Sequence, residues 1–364
     1  MRAAVMRDKR LVVDAIAEPK PGPGQVLEKT LACGICGSDL HMLKHAHRVL
    51  ELSRRTGIPG VNAVLDLDRD VVMGHEFCAE ILDYGPDTTR ALKPGTRVCA
   101  FPVAMSGKGL ETVGYSNDYP GGYGERMVVH EMLMVEVPNG LPAEHAALTE
   151  PLAVGVHAVE LARLAGGEVP LVIGCGPVGL AVIAGLKLKG AGPIIAADFS
   201  PKRRALAETI GADIVVDPSQ TSPYRRWQDA AAPEGYNPND PMTFMGIGPQ
   251  LAPCVAFECV GVPGVIQQIF EGSPRHARAV VVGACMEGDQ FEPMFGVTKE
   301  LNVQFAYGYT PDEYARCLRT IAEGQVDVTS LITGKVGVSG VAGAFEELGS
   351  PERHAKIIVE PWRD

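Results

Sequence analysis

The stretch VPLVIGCGPVGLAVIAGLKLKG constrains the fold more strongly than any other part of this chain. A short apolar strand, Val169 to Ile173, runs directly into Gly174-x-Gly176-x-x-Gly179 and then into an apolar helical pattern. In such a unit the first glycine permits a tight turn, the second lets the backbone approach a pyrophosphate, and the third lets helix and strand pack closely. The glycine spacing alone is a weak signal, but the strand before it and the helix after it predict a dinucleotide-binding βα unit.

Further short apolar segments follow this unit, and their residues do not alternate between apolar and polar. They are Ile194 to Ala197, Ile214 to Val216, Val255 to Glu258, Ala279 to Val282 and Val303 to Ala306. Unalternating runs are typical of strands that are buried on both faces of a parallel sheet. Helical patterns separate most of them, including Pro201 to Ile210, which ends before Gly211. Six such strands predict a Rossmann fold, a doubly wound parallel sheet.

Asp198 closes the second of these strands, about 20 residues beyond the glycine turn, where an acid can bind both ribose hydroxyls. Because a carboxylate there would repel a 2′-phosphate, NAD is favoured over NADP. The alternative is that Asp198 only caps the next helix. Lys202 and Arg203 are cations near this ribose, and they would tolerate a phosphate. Other expected cofactor contacts lie in the glycine turn or at the following strand ends, namely Pro177, Val178, Val260 and Gly283.

The chain outside this region has a different pattern. Its first part has short apolar runs such as Val71 to Met73, Arg97 to Ala100 and Arg126 to Val129, interrupted by Pro and Gly clusters such as PKPGPG. That pattern is typical of a small barrel-like β domain. The tail predicts a helix over Pro311 to Glu323 and a closing strand over Lys356 to Glu360. With 364 residues, two domains are expected.

Two segments fit no regular pattern. The interval 217–253 carries seven prolines, so we expect an irregular insertion with at most a short helix near 224–231. The segment 42–70 is long and contains the helical pattern KHAHRVLELSRR. We expect this second segment to shape the entrance for a substrate.

Charge and composition exclude several classes of protein. The net charge is −11 and the pI is near 5.4, which argues against a nucleic-acid partner. There is no apolar run long enough for a membrane span, and the N-terminus MRAAVMRDKR lacks the apolar core of a signal peptide. A cytoplasmic location is therefore expected. The nine cysteines then indicate buried thiols or metal ligands in place of disulfides.

The stretch ACGICGSDLH suggests a metal site. Cys33 and Cys36 form a Cys-x-x-Cys pair, but the thioredoxin-like context for a redox role is absent. No second pair of that kind exists to complete a four-cysteine structural site. Catalytic zinc typically takes three protein ligands and keeps a fourth position open. Cys36, His75 and one of Glu76 or Glu150 would supply such a set.

Taken together with GHEFCAEI, GGYGERMVV, EPLAVGVHAV, FECVG and HAKIIVEP, these motifs give a resemblance that runs nearly end to end. The chain resembles the zinc-dependent medium-chain dehydrogenase/reductase (alcohol dehydrogenase) family, nearest its sorbitol/polyol or threonine dehydrogenase-like branch. The resemblance implies a GroES-like β-barrel catalytic domain over residues 1–153 and 306–364. It implies a Rossmann NAD-binding domain over residues 154–305.

The resemblance also implies roles for individual residues. Cys36 and His75 match the catalytic zinc ligands. Glu76 matches the acidic neighbour that binds the metal or exchanges on and off it, and Glu150 matches an acid that is a ligand or contacts the metal through water. Ser38 matches the hydroxyl that takes the substrate proton, and His41 matches the histidine that passes it to solvent. Asp39 matches an acid that orients the zinc-ligand histidine, as such partners usually do. Cys33 is then expected to be a buried thiol.

The function implied is reversible hydride transfer between NAD and a small-molecule alcohol, a polyol or another secondary or primary alcohol, giving the carbonyl. The alternatives are a zinc-free NADPH-dependent quinone or enone reductase of the same superfamily and a non-enzymatic NAD-binding protein. The lobe that would hold a structural zinc carries no cysteine between Cys99 and Tyr123, so one catalytic zinc and no structural zinc are expected. A homodimer or homotetramer is also implied. The sequence does not identify the alcohol.

Overall fold

The computed structural model describes residues 1–56, 65–106 and 109–364. Within these ranges the chain forms two compact units. The first comprises Met1–Pro151 with Thr310–Asp364, and the second comprises Leu152–Tyr309. No helix in the described part of the chain combines the length and the apolar character that a membrane crossing needs.

The described residues form seventeen β-strands, numbered here in chain order. They are β1 (Arg2–Arg7), β2 (Arg10–Ala15), β3 (Gln25–Gly34), β4 (Glu76–Tyr84), β5 (Arg97–Ala100), β6 (Val103–Ser106), β7 (Gly109–Thr112), β8 (Arg126–His130), β9 (Met134–Glu136), β10 (Val169–Ile173), β11 (Ile195–Ala197), β12 (Ile214–Val216), β13 (Cys254–Glu258), β14 (Arg278–Val281), β15 (Asn302–Phe305), β16 (Ile332–Val336) and β17 (Lys356–Val359).

The same ranges contain eleven α-helices. They are α1 (Gly37–Thr56), α2 (Ala143–Ala146), α3 (Thr149–Leu161), α4 (Pro177–Leu188), α5 (Pro201–Ile210), α6 (Pro223–Ala231), α7 (Pro241–Phe244), α8 (Val265–Gly272), α9 (Pro293–Lys299), α10 (Pro311–Ala322) and α11 (Val341–Leu348).

The second unit contains a six-stranded sheet in the order β12-β11-β10-β13-β14-β15, and every neighbouring pair is parallel. This is the Rossmann strand order, in which the direction of winding reverses between β10 and β13. All six strands fall within one residue of the predicted apolar runs at both ends, and β10, β12 and helix α5 coincide with their predictions. The predicted α/β fold class with a Rossmann sheet is confirmed.

The first unit is built from both ends of the chain. Its seven-stranded sheet follows the order β16-β17-β3-β4-β5-β9, and β8 also pairs with β3. The closing strand β17 runs antiparallel to β3, with Ile358 opposite Gly34 and Val359 opposite Cys33. This pairing brings the last residues of the chain beside the ACGICGSDLH stretch.

The structure corrects three details of the sequence prediction. The stretch Val71 to Met73 is buried but is not a strand. The carbonyls of residues 72 and 73 accept hydrogen bonds from the turn at 121–123, and only Val71 forms a bridge to β1. The proline-rich insertion contains a second short helix, α7, capped by Asp240. The helix expected inside 42–70 begins earlier, at Gly37, while residues 57–64 of that segment lie outside the described residues.

Candidate active site

Three of the predicted metal ligands converge at one end of the seven-stranded sheet. Cys36 lies between the end of β3 and the start of α1, His75 immediately precedes β4, and Glu76 begins β4. The thiol sulfur, an imidazole nitrogen and a carboxylate oxygen lie within 4.8 Å of one another. His75 and Glu76 are buried, and Cys36 is partly exposed. One thiolate, one imidazole and one carboxylate with an open side are the donor set of a catalytic zinc, so the residues fit that metal.

The Glu76 carboxylate is fixed by an ion pair that the sequence did not reveal. Lys356 Nζ lies 2.7 Å from both Glu76 Oε1 and Glu76 Oε2, and it also donates to the Ile35 carbonyl at 3.0 Å. Burial alone would lower the pKa of Lys356, but the Glu76 carboxylate raises it, so the lysine stays charged. A Cβ on Gly34 would lie 2.0 Å from Glu76 Oε2, which explains why glycine precedes Ile35.

Asp39, in the first turn of α1, is a fully buried carboxylate surrounded by donors. Its Oδ2 accepts from the Tyr123 hydroxyl at 2.6 Å and from the Cys36 amide at 3.0 Å. Its Oδ1 accepts from the Tyr115 hydroxyl at 2.8 Å and lies 3.4 Å from His75 Nδ1. Burial alone would raise the pKa of Asp39, but His75 and the two phenols lower it below its usual value. Asp39 therefore lies where it can orient the His75 ring.

Ser38 is the second residue of α1, and its hydroxyl points toward the cluster. Its Oγ lies 2.8 Å from the Tyr115 hydroxyl oxygen and 3.5 Å from His75 Nε2. His41 lies on the next turn of the helix, partly buried, with its ring centroid 6.3 Å from that of His45. Burial lowers the pKa of His41, and Lys44 and His45 lower it further. Among the described residues, Ser38 and His41 form no hydrogen bond with each other.

Cys33 is separated from the cluster by its packing. It is fully buried, and a Cβ on Gly74 or Gly122 would lie 2.9 Å or 2.6 Å from its sulfur. Burial raises the pKa of this thiol well above its ordinary value. Such a thiol is neutral and shielded from solvent. Glu150, at the start of α3, is also buried, but it is not in the group of three ligand atoms found among the described residues.

In the second unit, the glycine turn has the geometry expected for binding a dinucleotide. Gly174 has a φ of +90°, which favours glycine, and a Cβ there would lie 2.8 Å from Val260 Cγ2. A Cβ on Gly179 would lie 1.8 Å from the Gly174 carbonyl oxygen, so α4 can pack against β10 only with glycine at this position. Pro177 and Val178 form the first turn of α4, and Gly176 is its N-cap.

Asp198 lies beside this turn. Its Oδ2 accepts from the Cys175 amide and its Oδ1 from the Ser200 amide, each at 2.8 Å. Arg203 Nη1 lies 3.9 Å from Asp198 Oδ2, and Arg203 Nε is buried without a hydrogen-bond partner among the described residues. The N-cap of α5 is Ser200, whose hydroxyl accepts from the Arg203 amide, so Asp198 is not merely the cap of that helix.

The other predicted cofactor residues lie at the carboxyl ends of β13 and β14. The buried Glu258 accepts from the amides of Val260 and Gly261, at 2.7 and 2.8 Å, and so shapes this loop. A Cβ on Gly283 would lie 2.3 Å from the Gly261 nitrogen. Gly283 therefore packs against the loop that presents Val260.

Sequence reasoning missed Lys356, Tyr115 and Tyr123 as parts of the site. Lys356 and Tyr123 lie inside motifs that were noticed, HAKIIVEP and GGYGERMVV, but the motifs did not say which atoms they contact. The available signal for Lys356 was a lysine at the start of the predicted closing strand. Tyr115 lies in a segment that matched no motif, and nothing in the sequence marked it.

A Rossmann sheet in one unit and a thiol, imidazole and carboxylate cluster in the other define the class of zinc-dependent dehydrogenases. The chain matches the family models described as "Alcohol dehydrogenase GroES-like domain" over residues 22–139 and "Zinc-binding dehydrogenase" over residues 177–323. It is 32% identical to (R,R)-butanediol dehydrogenase of Bacillus subtilis, covering 99% of this chain and 100% of that protein. It is 28% identical to sorbitol dehydrogenase of Bacillus subtilis, covering 100% and 98% of the two chains.

Solved structures agree with these matches. The crystal structure of 2R,3R-butanediol dehydrogenase from Bacillus subtilis superposes with a TM-score of 0.78 at 31% identity, covering 99% of each chain. A putative zinc-binding dehydrogenase from Sinorhizobium meliloti bound to NADP has the same TM-score at 25% identity, also covering 99% of each chain.

This chain therefore belongs to the zinc-dependent medium-chain dehydrogenase/reductase family of alcohol dehydrogenases. It is an oxidoreductase that transfers hydride between an alcohol and a nicotinamide cofactor. The predicted family, fold class and enzyme class are confirmed.

Proposed function

We propose that this enzyme oxidises a secondary alcohol of a small diol or polyol with NAD, using one zinc held by Cys36, His75 and Glu76. The observation that carries the proposal is the approach of these three ligand atoms to within 4.8 Å of one another. The names of its relatives, butanediol and sorbitol dehydrogenases, support a substrate with neighbouring hydroxyl groups. Glu150 is proposed as a buried acid that contacts the metal through water, because it lies outside this set.

Zinc bound here would act as a Lewis acid on the alcohol oxygen, and the nicotinamide would accept the hydride. The residues of the chain then have separate tasks. Ser38 accepts the proton of the substrate hydroxyl, and His41 exchanges protons with solvent. Asp39 holds the His75 ring through the 3.4 Å contact at Nδ1. Lys356 holds the Glu76 carboxylate in one orientation through two contacts of 2.7 Å.

The preference for NAD is proposed from Asp198. Its carboxylate lies beside the glycine turn and keeps free lone pairs for ribose hydroxyls after accepting two amide hydrogens. A 2′-phosphate at this place would meet a negative charge. Arg203 acts in the opposite direction, and the Sinorhizobium relative was solved with NADP, so both cofactors belong in the assay.

The two compact units are proposed to divide the work. Residues 1–153 with 306–364 would form the GroES-like catalytic domain, and residues 154–305 would bind the cofactor. We also propose a cytoplasmic homodimer or homotetramer. The edge strand β15 and the helix before it carry exposed apolar side chains that support an assembly, namely Phe305, Val297 and Met294.

The decisive experiment follows NADH or NADPH by near-ultraviolet absorbance with 2,3-butanediol, sorbitol, simple primary alcohols and threonine. Each reaction is run with and without a strong zinc chelator. We expect turnover with NAD on the diol or the polyol, lost on chelation and restored by added zinc.

Cys36→Ala should lower turnover by at least about a thousandfold and reduce bound zinc. Cys33→Ala is the matched control, because Cys33 is a nearby thiol outside the cluster and should keep both zinc and activity. If Cys36→Ala kept near-normal turnover in metal-free buffer, the proposed zinc chemistry would be wrong.

A further inference from the structure

We propose that Tyr115 is a positioning residue that fixes the direction of the Ser38 hydroxyl hydrogen. The proposal rests on the role of Ser38 as proton acceptor given above, and it adds a residue to that site. Tyr115 lies in the segment between β7 and β8, in none of the motifs that marked the family. Its phenol reaches Ser38 and Asp39 at the same time, at 2.8 Å in each case.

The chain of hydrogen bonds begins at Asp39. This carboxylate is fully buried and receives hydrogen bonds from three donors, the Cys36 amide and the hydroxyls of Tyr115 and Tyr123. A backbone amide can only donate, and an ionised carboxylate can only accept. Asp39 Oδ1 therefore takes the hydroxyl hydrogen of Tyr115.

The direction of the next hydrogen bond follows from counting hydrogens. A phenol has a single hydroxyl hydrogen, and in Tyr115 it is directed to Asp39. Toward Ser38 the phenol oxygen can only accept, so Ser38 must donate across the 2.8 Å contact. The His75 Nε2 atom, at 3.5 Å, is the more distant neighbour of Ser38 Oγ and does not compete for that hydrogen.

The consequence concerns the lone pairs of Ser38. With its hydrogen directed inward to Tyr115, Ser38 Oγ presents only acceptor sites to an incoming alcohol. In this orientation Ser38 can accept the proton of a substrate hydroxyl, because its own hydrogen can pass to the Tyr115 oxygen as the Tyr115 hydrogen passes to Asp39. Without the phenol oxygen, the Ser38 hydrogen is free to turn toward the substrate oxygen, and the serine then begins as a donor.

Tyr123 makes it possible to distinguish the proposed role of Tyr115 from simple support of Asp39. Its hydroxyl also donates to Asp39, at 2.6 Å, but Ser38 Oγ makes its hydrogen bonds to Tyr115 and His75 within the described residues. Removing either phenol oxygen takes one donor away from Asp39. Only the removal of the Tyr115 oxygen also frees the Ser38 hydrogen.

The test is a double-mutant cycle of Tyr115→Phe and Ser38→Ala, assayed with the alcohol of the panel that is oxidised fastest with NAD. Tyr115→Phe alone should lower kcat about tenfold and change KM less than about twofold, because the substrate contact is kept while its proton acceptor is misdirected. In the Ser38→Ala background, Tyr115→Phe should change kcat less than about twofold, because residues acting through one group are not additive.

Two control variants and two further measurements complete the design. Tyr119→Phe removes a nearby phenol that bonds Gln25 at 3.1 Å, and it should leave kcat unchanged. Tyr123→Phe should change kcat by the same factor in the wild-type protein and in the Ser38→Ala variant, because the Tyr123 phenol does not act through Ser38. Zinc per chain in Tyr115→Phe, measured by elemental analysis, should match that of the parent protein. The melting temperature of Tyr115→Phe should fall no further than that of Tyr123→Phe, because each variant removes one donor from Asp39.

Three results would overturn the proposal. An equal Tyr115→Phe loss in both backgrounds would mean that the phenol does not act through Ser38. A loss of zinc or a large fall in melting temperature in Tyr115→Phe would assign the tyrosine to the metal site or the fold. Near-normal kcat in Ser38→Ala, or no turnover across the panel, would remove the proposed function itself and the Tyr115 role with it, so the two failures are distinguishable.

Discussion

Glu28 and Glu76 lie on the neighbouring strands β3 and β4 of one sheet, and both carboxylates are completely withdrawn from solvent. Glu76 has Lys356 Nζ at 2.7 Å from each of its oxygens. Both oxygens of Glu28 lack a hydrogen-bond partner within the part of the chain that the structure describes. Burial raises the pKa of Glu28 to about 8. Glu76 is therefore held as a paired carboxylate, while Glu28 is a neutral acid at pH 7.

The comparison shows that burial alone does not decide what a carboxylate can do. A buried charge costs several kcal/mol unless a partner compensates it, and without a partner the group takes up a proton. The titratable neighbours of Glu28 do not supply such a partner. The Cys99 thiol and the phenols of Tyr84 and Tyr314 all have raised pKa values, mainly through burial, and stay neutral near pH 8.

The largest expected effect comes from breaking the Glu76 pair. Lys356→Met should lower the free energy of unfolding by about 3 to 5 kcal/mol, because it leaves a buried charge without its partner. Urea unfolding measures this difference. Lys335→Met is the control, since Lys335 pairs with Glu144 and Glu360 in a partly exposed position and should cost no more than about 1 kcal/mol. Equal losses in the two variants would contradict the distinction.

The second prediction concerns pH and Glu28. Its folded pKa of about 8 exceeds the ordinary value of 4.5, so its contribution to stability is greatest below pH 4.5 and falls as pH rises toward 8. At pH 7 the cost is about 3 kcal/mol, since each unit of pKa difference is worth about 1.4 kcal/mol. Glu28→Gln should remove this dependence and stabilise the protein at pH 7 much more than at pH 4.5. A constant difference in unfolding free energy across this range would show that Glu28 does not titrate this way.

The smallest expected effect compares the two glutamates as metal ligands. Glu76→Gln should weaken zinc binding by at least about tenfold, whereas Glu28→Gln should leave it unchanged. Competition with a chromophoric chelator gives both affinities under one condition. Equal zinc affinities for the two variants would remove Glu76 from the ligand set.

Much of the fold was predictable because it depends on local patterns. Buried parallel strands give short unalternating apolar runs, so β10 to β15 could be located to within one residue at each end. Helix α5 was predicted to end before Gly211, and a terminal glycine is a local signal. The stretch 71–73 was wrongly predicted as a strand because only its local pattern could be read from the sequence. Its apolar pattern suits a strand, but its carbonyls pair with a turn that lies about fifty residues later.

The residues of the site could be predicted only where they lie in a recognisable motif. Cys36, His75 and Glu76 follow from residue types whose donor atoms suit zinc, and the structure brings them together. The choice between Glu76 and Glu150 depended on distance, which the sequence does not contain. Ser38 could be named, but the partner of its hydroxyl could not.

The amino-acid sequence by itself determined the class of fold, the glycine turn and the chemical types gathered at the metal site. Strand burial, turn geometry and ligand chemistry depend on short segments, so they can be predicted from local sequence patterns. Tertiary structure alone decided which polar groups are partnered. Lys356 reaches Glu76 across 280 residues because β17 pairs with β3, and Tyr115 reaches Ser38 across 77 residues. Glu28, on the same sheet, has no cation beside it among the described residues, and the packing of distant segments around each carboxylate fixes its charge.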